Sequence, residues 1–346
     1  MSSRILLFSL LLFAIQENLA QPFEPNNYSA YQKTLVDKIA KSYETQYVFP
    51  EKGLEASKYL KTQFKKGAYD GLTNTSLSEK LTQDLQAVTN DKHVRINFIL
   101  KDKDSKPTNS IADFEKRFKN YGFEEVKIMD GNIGYIDLRL FYPIQNDVKS
   151  KQALKETMSQ LEATDAIVFD LRKCVGGSPE MLALIISYFY PEGSRIHLNS
   201  FYYRPNNSTF ESYTLEEIEG NRMPDKKLFV LTGSKSFSAA EEFSYDLKYL
   251  KRATLVGAIT GGGAHTVEPR QIDENFEMFV PTGRAINPIT NSNWEGVGVK
   301  PDVEVDEVSA LRVAHILALE ESIANAKSNA EKVKLRTLIS SIENQN

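Results

Sequence analysis

The chain has 346 residues, of which 41% are hydrophobic and 25% charged, so it carries enough apolar material for a large core and more than one folding unit. Its formal net charge of −4 argues against nucleic-acid binding, which needs a basic surface. The single cysteine, Cys174, excludes an internal disulfide, and we interpret it as a small buried hydrophobe.

The first twenty residues have the pattern of a secretory signal peptide. Arg4 precedes a short apolar run over residues 5–15, and Ala20 is a small residue suited to cleavage. The run is too short to span a membrane comfortably. We therefore expect residues 1–20 to be removed and the mature chain to be exported, to the periplasm or the extracellular medium, with no membrane span.

A helical unit is predicted for residues 21–90. Its first helix has an apolar stripe at four-residue spacing, which is typical of a helix that packs one face on a core. The stripe consists of Tyr31, Leu35, Ile39 and Tyr43. Two further amphipathic helices are predicted over residues 50–66 and 76–88. We expect this unit to pack as a cap on the remainder of the chain.

A buried strand followed by a glycine turn and a helix is predicted in the middle of the chain. The apolar run at residues 166–172 leads to Gly176 and Gly177, and an apolar helix pattern covers residues 180–190. Paired glycines can turn their N–H groups toward an anion or oxyanion because no side chain stands in the way. By itself this pattern is weak evidence, since any tight turn can use glycine.

Ser238 follows a second apolar strand, at the point where a helix begins. A serine at such a junction lies where free backbone N–H groups and the helix dipole can stabilise an oxyanion. The same spacing, with Glu241 three residues later, also fits a capping box. This segment alone therefore leaves two interpretations open, a nucleophile and a helix cap.

Two more glycine-rich segments lie further along the chain. A strand at residues 253–257 leads into the triple glycine that ends at Gly263, and Glu295 lies between Trp294 and Gly296 in a loop punctuated by glycine and proline. The four segments stand in a fixed order. They read Asp170-Leu-Arg-x-x-x-Gly-Gly177, Phe237-Ser-Ala-Ala-Glu-Glu-Phe243, Val256-Gly-x-x-Thr-Gly-Gly-Gly-Ala264 and Trp294-Glu-Gly-Val-Gly-Val-x-Pro-Asp302.

In this order the segments resemble the tail-specific, or C-terminal processing, serine peptidase family, and above all its branch related to tricorn peptidase and to the modules of interphotoreceptor retinoid-binding protein. The resemblance covers about residues 77 to 305. It implies an α/β, crotonase-like catalytic domain over residues 91–306. It also implies that Ser238 is the nucleophile and that the N–H groups of Ala239 and of Gly176 or Gly177 form the oxyanion hole.

A serine hydroxyl needs a base within hydrogen-bond reach. In the processing branch of the family the base is a lysine, and the matching position here is Gly263. The tricorn-like branch uses a histidine near the front of the catalytic unit, and His93 matches it in the context Asp91-Lys-His93. Glu295 matches the carboxylate with which that branch steadies its active site.

Alternatives remain for both roles. His265 is the main alternative base, because the glycine-rich loop before it should lie near the site. Asp91 or Glu241 could take the place of Glu295 as the carboxylate that orients the base. His197, in a predicted strand, and His315, in a helical pattern, are interpreted as structural residues.

The sequence predicts a serine-type peptidase that hydrolyses unfolded proteins or short peptides. The chain has no room for the PDZ module with which processing peptidases capture C-terminal tails, and no metal or cofactor is predicted. Two alternatives are a non-catalytic retinoid- or lipid-binding module of the same fold and an esterase with the same acyl chemistry. The tail, residues 307–346, is predicted to be helical and either to pack at its start or to form a homo-oligomer surface.

Overall fold

The computed structural model describes residues 28–99, 117–144 and 148–344, which form two β-sheets with helices packed on them. The expected signal peptide lies outside this part of the chain. Within it, no helix combines the length and the apolar character that crossing a bilayer requires.

The N-terminal part is helical, as predicted. Pro50 stands in the first turn of the second helix, and the Thr73 hydroxyl caps the third by accepting a hydrogen bond from Ser76 N–H. The predicted stripe is buried at three positions and half-buried at Tyr31. The three helices are α1 (Tyr28–Gln46), α2 (Pro50–Lys65) and α3 (Asn74–Thr89).

The smaller sheet is antiparallel and lies under these helices. Its strands are β1 (Arg95–Phe98), β5 (His197–Tyr203), β6 (Ser208–Tyr213), β9 (His265–Gln271) and β10 (Phe276–Ile286). The long strand β10 pairs with β1, with β5 and with β9. Leu35, Leu77 and Met278 belong to one apolar core, so the helical part and this sheet fold around a shared interior.

The larger sheet is mostly parallel and is covered on both faces. Its strands are β2 (Phe123–Met129), β3 (Ile133–Leu138), β4 (Ala166–Asp170), β7 (Lys227–Thr232), β8 (Ala253–Gly257) and β11 (Val303–Glu304), in the spatial order β11-β8-β7-β4-β3-β2. Only the β2–β3 hairpin is antiparallel. Every residue of β3 and β4 is buried, as expected for parallel strands between two layers of helices.

Successive residues of the strands face opposite cores. Phe169 belongs to the core beneath α4 (Val148–Leu161), α5 (Pro179–Ser187) and α6 (Ala239–Tyr249), whereas Val168 belongs to the core beneath α7 (Ala310–Asn325).

The predicted helical tail is divided in two, because the backbone at Ala326 is extended (φ −66°, ψ 133°) before α8 (Asn329–Glu343) begins. Helix α7 packs on the sheet through three buried alanines, and none of the α8 residues is fully buried.

One edge of the larger sheet gathers the segments that the sequence analysis singled out. Strands β4, β7 and β8 run parallel, so the segments after them lie side by side. These are the glycine turn at 171–178, the Ser238 segment at 233–238 and the glycine-rich loop at 258–264. The smaller sheet presents His93, just before β1, and His265, at the start of β9, toward the same region.

Candidate active site

Ser238 has an unusual backbone conformation. It precedes α6 with φ 57° and ψ −120°, and its side chain is half-buried. A non-glycine residue rarely adopts a positive φ, and holding one there costs about 1–3 kcal/mol. Such strain is concentrated at functional sites, so this conformation distinguishes Ser238 from an ordinary helix cap.

The Glu241 carboxylate holds the Ser238 turn against the glycine-rich loop. Its Oε2 accepts hydrogen bonds from the N–H groups of Ser238 at 3.0 Å and Gly263 at 2.8 Å. Its Oε1 accepts from Gly262 N–H at 2.6 Å and from the Thr260 hydroxyl at 2.5 Å. The side chain is fully buried, and burial raises the pKa of Glu241 despite these bonds. Glu241 is therefore a clamp within the site, with no histidine among these four donors.

Gly176 lies directly against Ser238. Its φ is 105°, and a Cβ at this position would stand 2.7 Å from the Ser238 Cβ, so only glycine fits. Gly177 pairs with Phe141 in an isolated parallel bridge. The two bonds of that bridge run from Phe141 N–H to the Gly176 carbonyl and from Ser178 N–H to the Phe141 carbonyl. They leave the N–H of Gly177 directed away from Phe141.

The three predicted oxyanion donors differ in what they contact. In the described residues, the N–H groups of Ala239 and Gly177 form no hydrogen bond. Burial raises the pKa of Cys174 to about 12, against a smaller opposing contribution from the Gly176 N–H. Cys174 is fully buried, as the sequence indicated. Of the two glycines, Gly177 is the one whose N–H the bridge to Phe141 turns outward.

Asp91 is the centre of a buried polar cluster. Its Oδ1 accepts a hydrogen bond from His93 N–H at 2.9 Å, and its Oδ2 accepts from the Tyr47 hydroxyl at 3.1 Å and lies 2.6 Å from His265 Nδ1. Burial alone would raise the pKa of Asp91, but the hydrogen bond from His265 and the nearby histidine charges hold it below its usual value.

The His93 ring packs on the residue that precedes Ser238. Its centroid lies 4.6 Å from that of Phe237, and its side chain is only 8% exposed. Burial lowers the pKa of His93 to about 4, so the ring is neutral at neutral pH and one nitrogen can accept a proton. No hydrogen bond joins His93 to the Ser238 hydroxyl in the described structure. Catalytic groups are often held apart until substrate binds.

Glu295 lies beside the same cluster. Its Oε2 accepts from the N–H groups of Ala264 at 2.6 Å and His265 at 3.1 Å, and it lies 3.6 Å from His265 Nδ1. Its Oε1 is buried without a hydrogen-bond partner. Burial, with a contribution from the Asp91 charge, raises the pKa of Glu295 to about 7. One ligand atom from each of Asp91, His93 and Glu295 lies within 4.8 Å of the others.

Gly263 joins the serine side of the site to the histidine side. A Cβ at this position would stand 2.3 Å from Phe237 Cζ and 2.7 Å from His93 Cε1. The family's lysine position is therefore filled by the Phe237 and His93 rings. The other two histidines are elsewhere: the His197 ring stacks on Tyr213 at 4.7 Å, and His315 lies on α7.

Sequence reasoning did not identify two contributors to this arrangement, and it left the role of a third, Glu241, open. Tyr47 hydrogen-bonds Asp91, Phe237 packs against the His93 ring, and Glu241 binds the glycine-rich loop as well as the helix start. The only available signal was the Glu241 spacing, which indicated a cap. The other two contacts join residues far apart in the chain.

The comparisons with known proteins agree with this architecture. A model described as peptidase family S41 matches residues 132–305, and one described as the N-terminal domain of Peptidase_S41 in eukaryotic IRBP matches residues 26–119. The chain is 25% identical over 208 residues to the tricorn protease of Thermoplasma volcanium, covering 60% of this chain and 18% of that protein. It is also 25% identical over 184 residues to the carboxy-terminal-processing protease of Bartonella bacilliformis, covering 52% of this chain and 40% of that protein.

The chain thus spans less than half the length of these curated relatives. Among solved structures, a putative peptidase from Parabacteroides merdae is similar with a TM-score of 0.58 and 20% identity, covering 86% of this chain and 98% of that one. At this identity the likeness shows the fold, a mixed α/β architecture.

Proposed function

The chain belongs to peptidase family S41, and from this premise we propose that it is an exported serine-type peptidase with Ser238 as its nucleophile. The observation that carries the proposal is the strained backbone of Ser238, pressed against Gly176 at the start of α6. Such a turn presents a side chain beside the free N–H groups of a helix start. The substrates are unfolded proteins or short peptides.

In the proposed reaction, Ser238 Oγ attacks the carbonyl carbon of the peptide bond while His93 accepts the hydroxyl proton. The oxyanion is received by the N–H groups of Ala239 and Gly177, which form no other hydrogen bond in the described structure. His93 then returns the proton to the leaving amine. Water, activated by the same histidine, hydrolyses the acyl-enzyme and restores Ser238.

His93 is a better candidate base than His265. Its ring packs on Phe237, the neighbour of Ser238, with the ring centroids 4.6 Å apart. The Nδ1 of His265 is instead engaged by Asp91 at 2.6 Å. We assign Glu295 the role of stabilising the imidazolium, because its Oε1 has no partner and can accept a hydrogen bond from the ring. Asp91 positions both histidines.

The proposal includes the organisation of the chain. Residues 1–20 are the signal peptide, 21–90 the helical unit, 91–306 a crotonase-like catalytic domain and 307–346 the helical tail. The support for the last boundary is that α7 begins at Ala310, after the final strand of the larger sheet. Export follows from the signal-peptide pattern at the start of the chain.

A fluorophosphonate probe tests the nucleophile directly. The purified mature protein is treated with the probe, and the modified residue is located by mass spectrometry, with Ser238→Ala as the control. Labelling at Ser238 supports the proposal, after which a panel of peptides and esters separates peptidase from esterase action. A folded protein that is not labelled, yet retains a hydrophobic fluorescent probe, would be the non-catalytic lipid-binding module instead.

A further inference from the structure

Two buried polar atoms beside the active site have no hydrogen-bond partner in the described part of the chain. They are His93 Nδ1 and Glu295 Oε1. Leaving a polar atom buried and unpaired is unfavourable, so such atoms need an explanation. His93 Nδ1 lies 3.8 Å from Asp91 Oδ1, and its side chain is more than nine-tenths buried.

From this cluster we propose that Asp91, His93 and Glu295 bind a divalent transition-metal ion of the Zn²⁺ class. One imidazole nitrogen and two carboxylate oxygens are a ligand set that Zn²⁺ accepts, with bonds of about 2.0–2.2 Å. Two ligand atoms on one such ion are at most about 4.4 Å apart. The three donor atoms already lie within 4.8 Å of one another, so small side-chain rotations bring them to the ion.

The surrounding residues support these ligands from behind. The Asp91 carboxylate is held by Tyr47 and His265, and Glu295 is held by the N–H groups of Ala264 and His265. Outer contacts of this kind orient metal ligands and raise their affinity. They also leave His93 Nδ1 and Glu295 Oε1 available to the ion.

The ion would act as a reversible inhibitor, an effect that rests on the proposed function. A neutral imidazole carries one proton. When a metal occupies His93 Nδ1, that proton is on Nε2, which then donates and cannot accept the proton of Ser238. The ion also takes the Glu295 oxygen that would stabilise the imidazolium. Metal binding and catalysis therefore exclude each other.

Binding is measured first on the tag-free Ser238→Ala protein, so that the result does not depend on catalysis. After treatment with a chelator and its removal, the protein is titrated with CoCl₂ and with ZnCl₂. We expect one equivalent of Co²⁺ to bind with visible absorption, and Zn²⁺ to displace it. The substitutions His93→Gln and Glu295→Gln are each made separately in the Ser238→Ala protein. Each should lower the affinity for Co²⁺ by at least about tenfold.

His197→Gln is the matched control, because His197 lies on the smaller sheet and stacks on Tyr213. Its metal affinity should equal that of the parent. Circular dichroism checks that each variant is folded, and Glu295→Gln decides the matter if His93→Gln does not fold. Absence of one-equivalent binding, or equal affinity in the ligand variants, overturns the site.

Inhibition is measured on the wild-type protein as fluorophosphonate labelling with and without ZnCl₂. We expect one equivalent of Zn²⁺ to suppress labelling and a chelator to restore it. Stoichiometric binding without suppression overturns the inhibitory role. A wild-type protein that is never labelled contradicts the proposed function, while the Co²⁺ titration still decides the metal site.

Discussion

The Ser238 N–H donates a hydrogen bond of 3.0 Å to Glu241 Oε2, and the same carboxylate binds the glycine-rich loop. One buried side chain therefore fixes the turn that presents Ser238, the proposed nucleophile, and the glycine-rich loop beside it. The local spacing that indicates a helix cap is also part of the site, so the two interpretations of this segment are compatible.

Glu241→Gln tests this clamp. Both oxygens of the Glu241 carboxylate accept hydrogen bonds. In glutamine one of these oxygens is replaced by an NH₂ group, which cannot accept, so the backbone N–H groups that faced that oxygen are left buried without a partner. We expect the free energy of unfolding to fall by about 3 kcal/mol and Ser238 labelling to fall with it. Urea denaturation provides the measurement. Glu79→Gln, on the exposed face of α3, is the control and should leave both unchanged.

Gly176→Ala should disable the site through a direct clash. The new Cβ would stand 2.7 Å from the Ser238 Cβ, which displaces the nucleophile from the oxyanion donors. We expect labelling to slow by at least about a hundredfold. Gly193→Ala is a matched control, because its φ is also positive, at 71°, but nothing lies within 4 Å of the new Cβ. Gly193→Ala should lower the free energy of unfolding without slowing the labelling of Ser238. Equal labelling rates in the two alanine variants would show that the clash with Ser238 does not matter.

Gly263→Lys places the family's lysine at its matching position, and we expect it to destroy labelling. The side chain would have to begin 2.7 Å from His93 Cε1, displacing the ring that serves as base. Labelling rates of this variant and of Gly263→Ala would be compared with those of the wild type. Undiminished labelling in the lysine variant would show that the His93 position is not needed.

His93 should make stability depend on pH. Burial lowers its pKa from 6.5 to about 4, so between these values the unfolded chain binds a proton that the folded chain does not. Stability from this group is therefore present above about pH 6.5 and is lost as the pH falls toward 4. We expect the stability difference between wild type and His93→Gln to narrow over this range in urea denaturation. A constant difference would contradict the assignment.

Glu295 should have the opposite dependence. Its pKa is raised from 4.5 to about 7, chiefly by burial, so the folded chain retains a proton that the unfolded chain releases. The contribution to stability is present below about pH 4.5 and is lost as the pH rises through 7. Glu295→Gln should therefore gain stability relative to the wild type between pH 4.5 and 7.5. Urea denaturation of both proteins across this range measures the gain, and a constant stability difference would contradict the raised pKa of Glu295.

The parts of the site that the sequence predicted are those carried by contiguous segments. Each of these features can be recognised from a stretch of about a dozen residues, and the structure contains all three: the strand, the glycine pair and the start of α6. The Asp91 cluster could not be predicted in the same way, because its partners Tyr47 and His265 are 44 and 174 positions away. Likewise, the division of the tail at Ala326 depends on how α8 packs, since no glycine or proline marks it.

The serine and its base come from different sheets. Ser238 follows β7, one of the two central strands of the larger sheet, whereas His93 precedes β1 and His265 begins β9 in the smaller one. Under the proposed mechanism, a chain in which only the larger sheet has folded carries a serine with no base beside it. A newly made or newly exported molecule therefore cannot digest its neighbours until both sheets have docked, and the architecture itself delays activity until folding is complete.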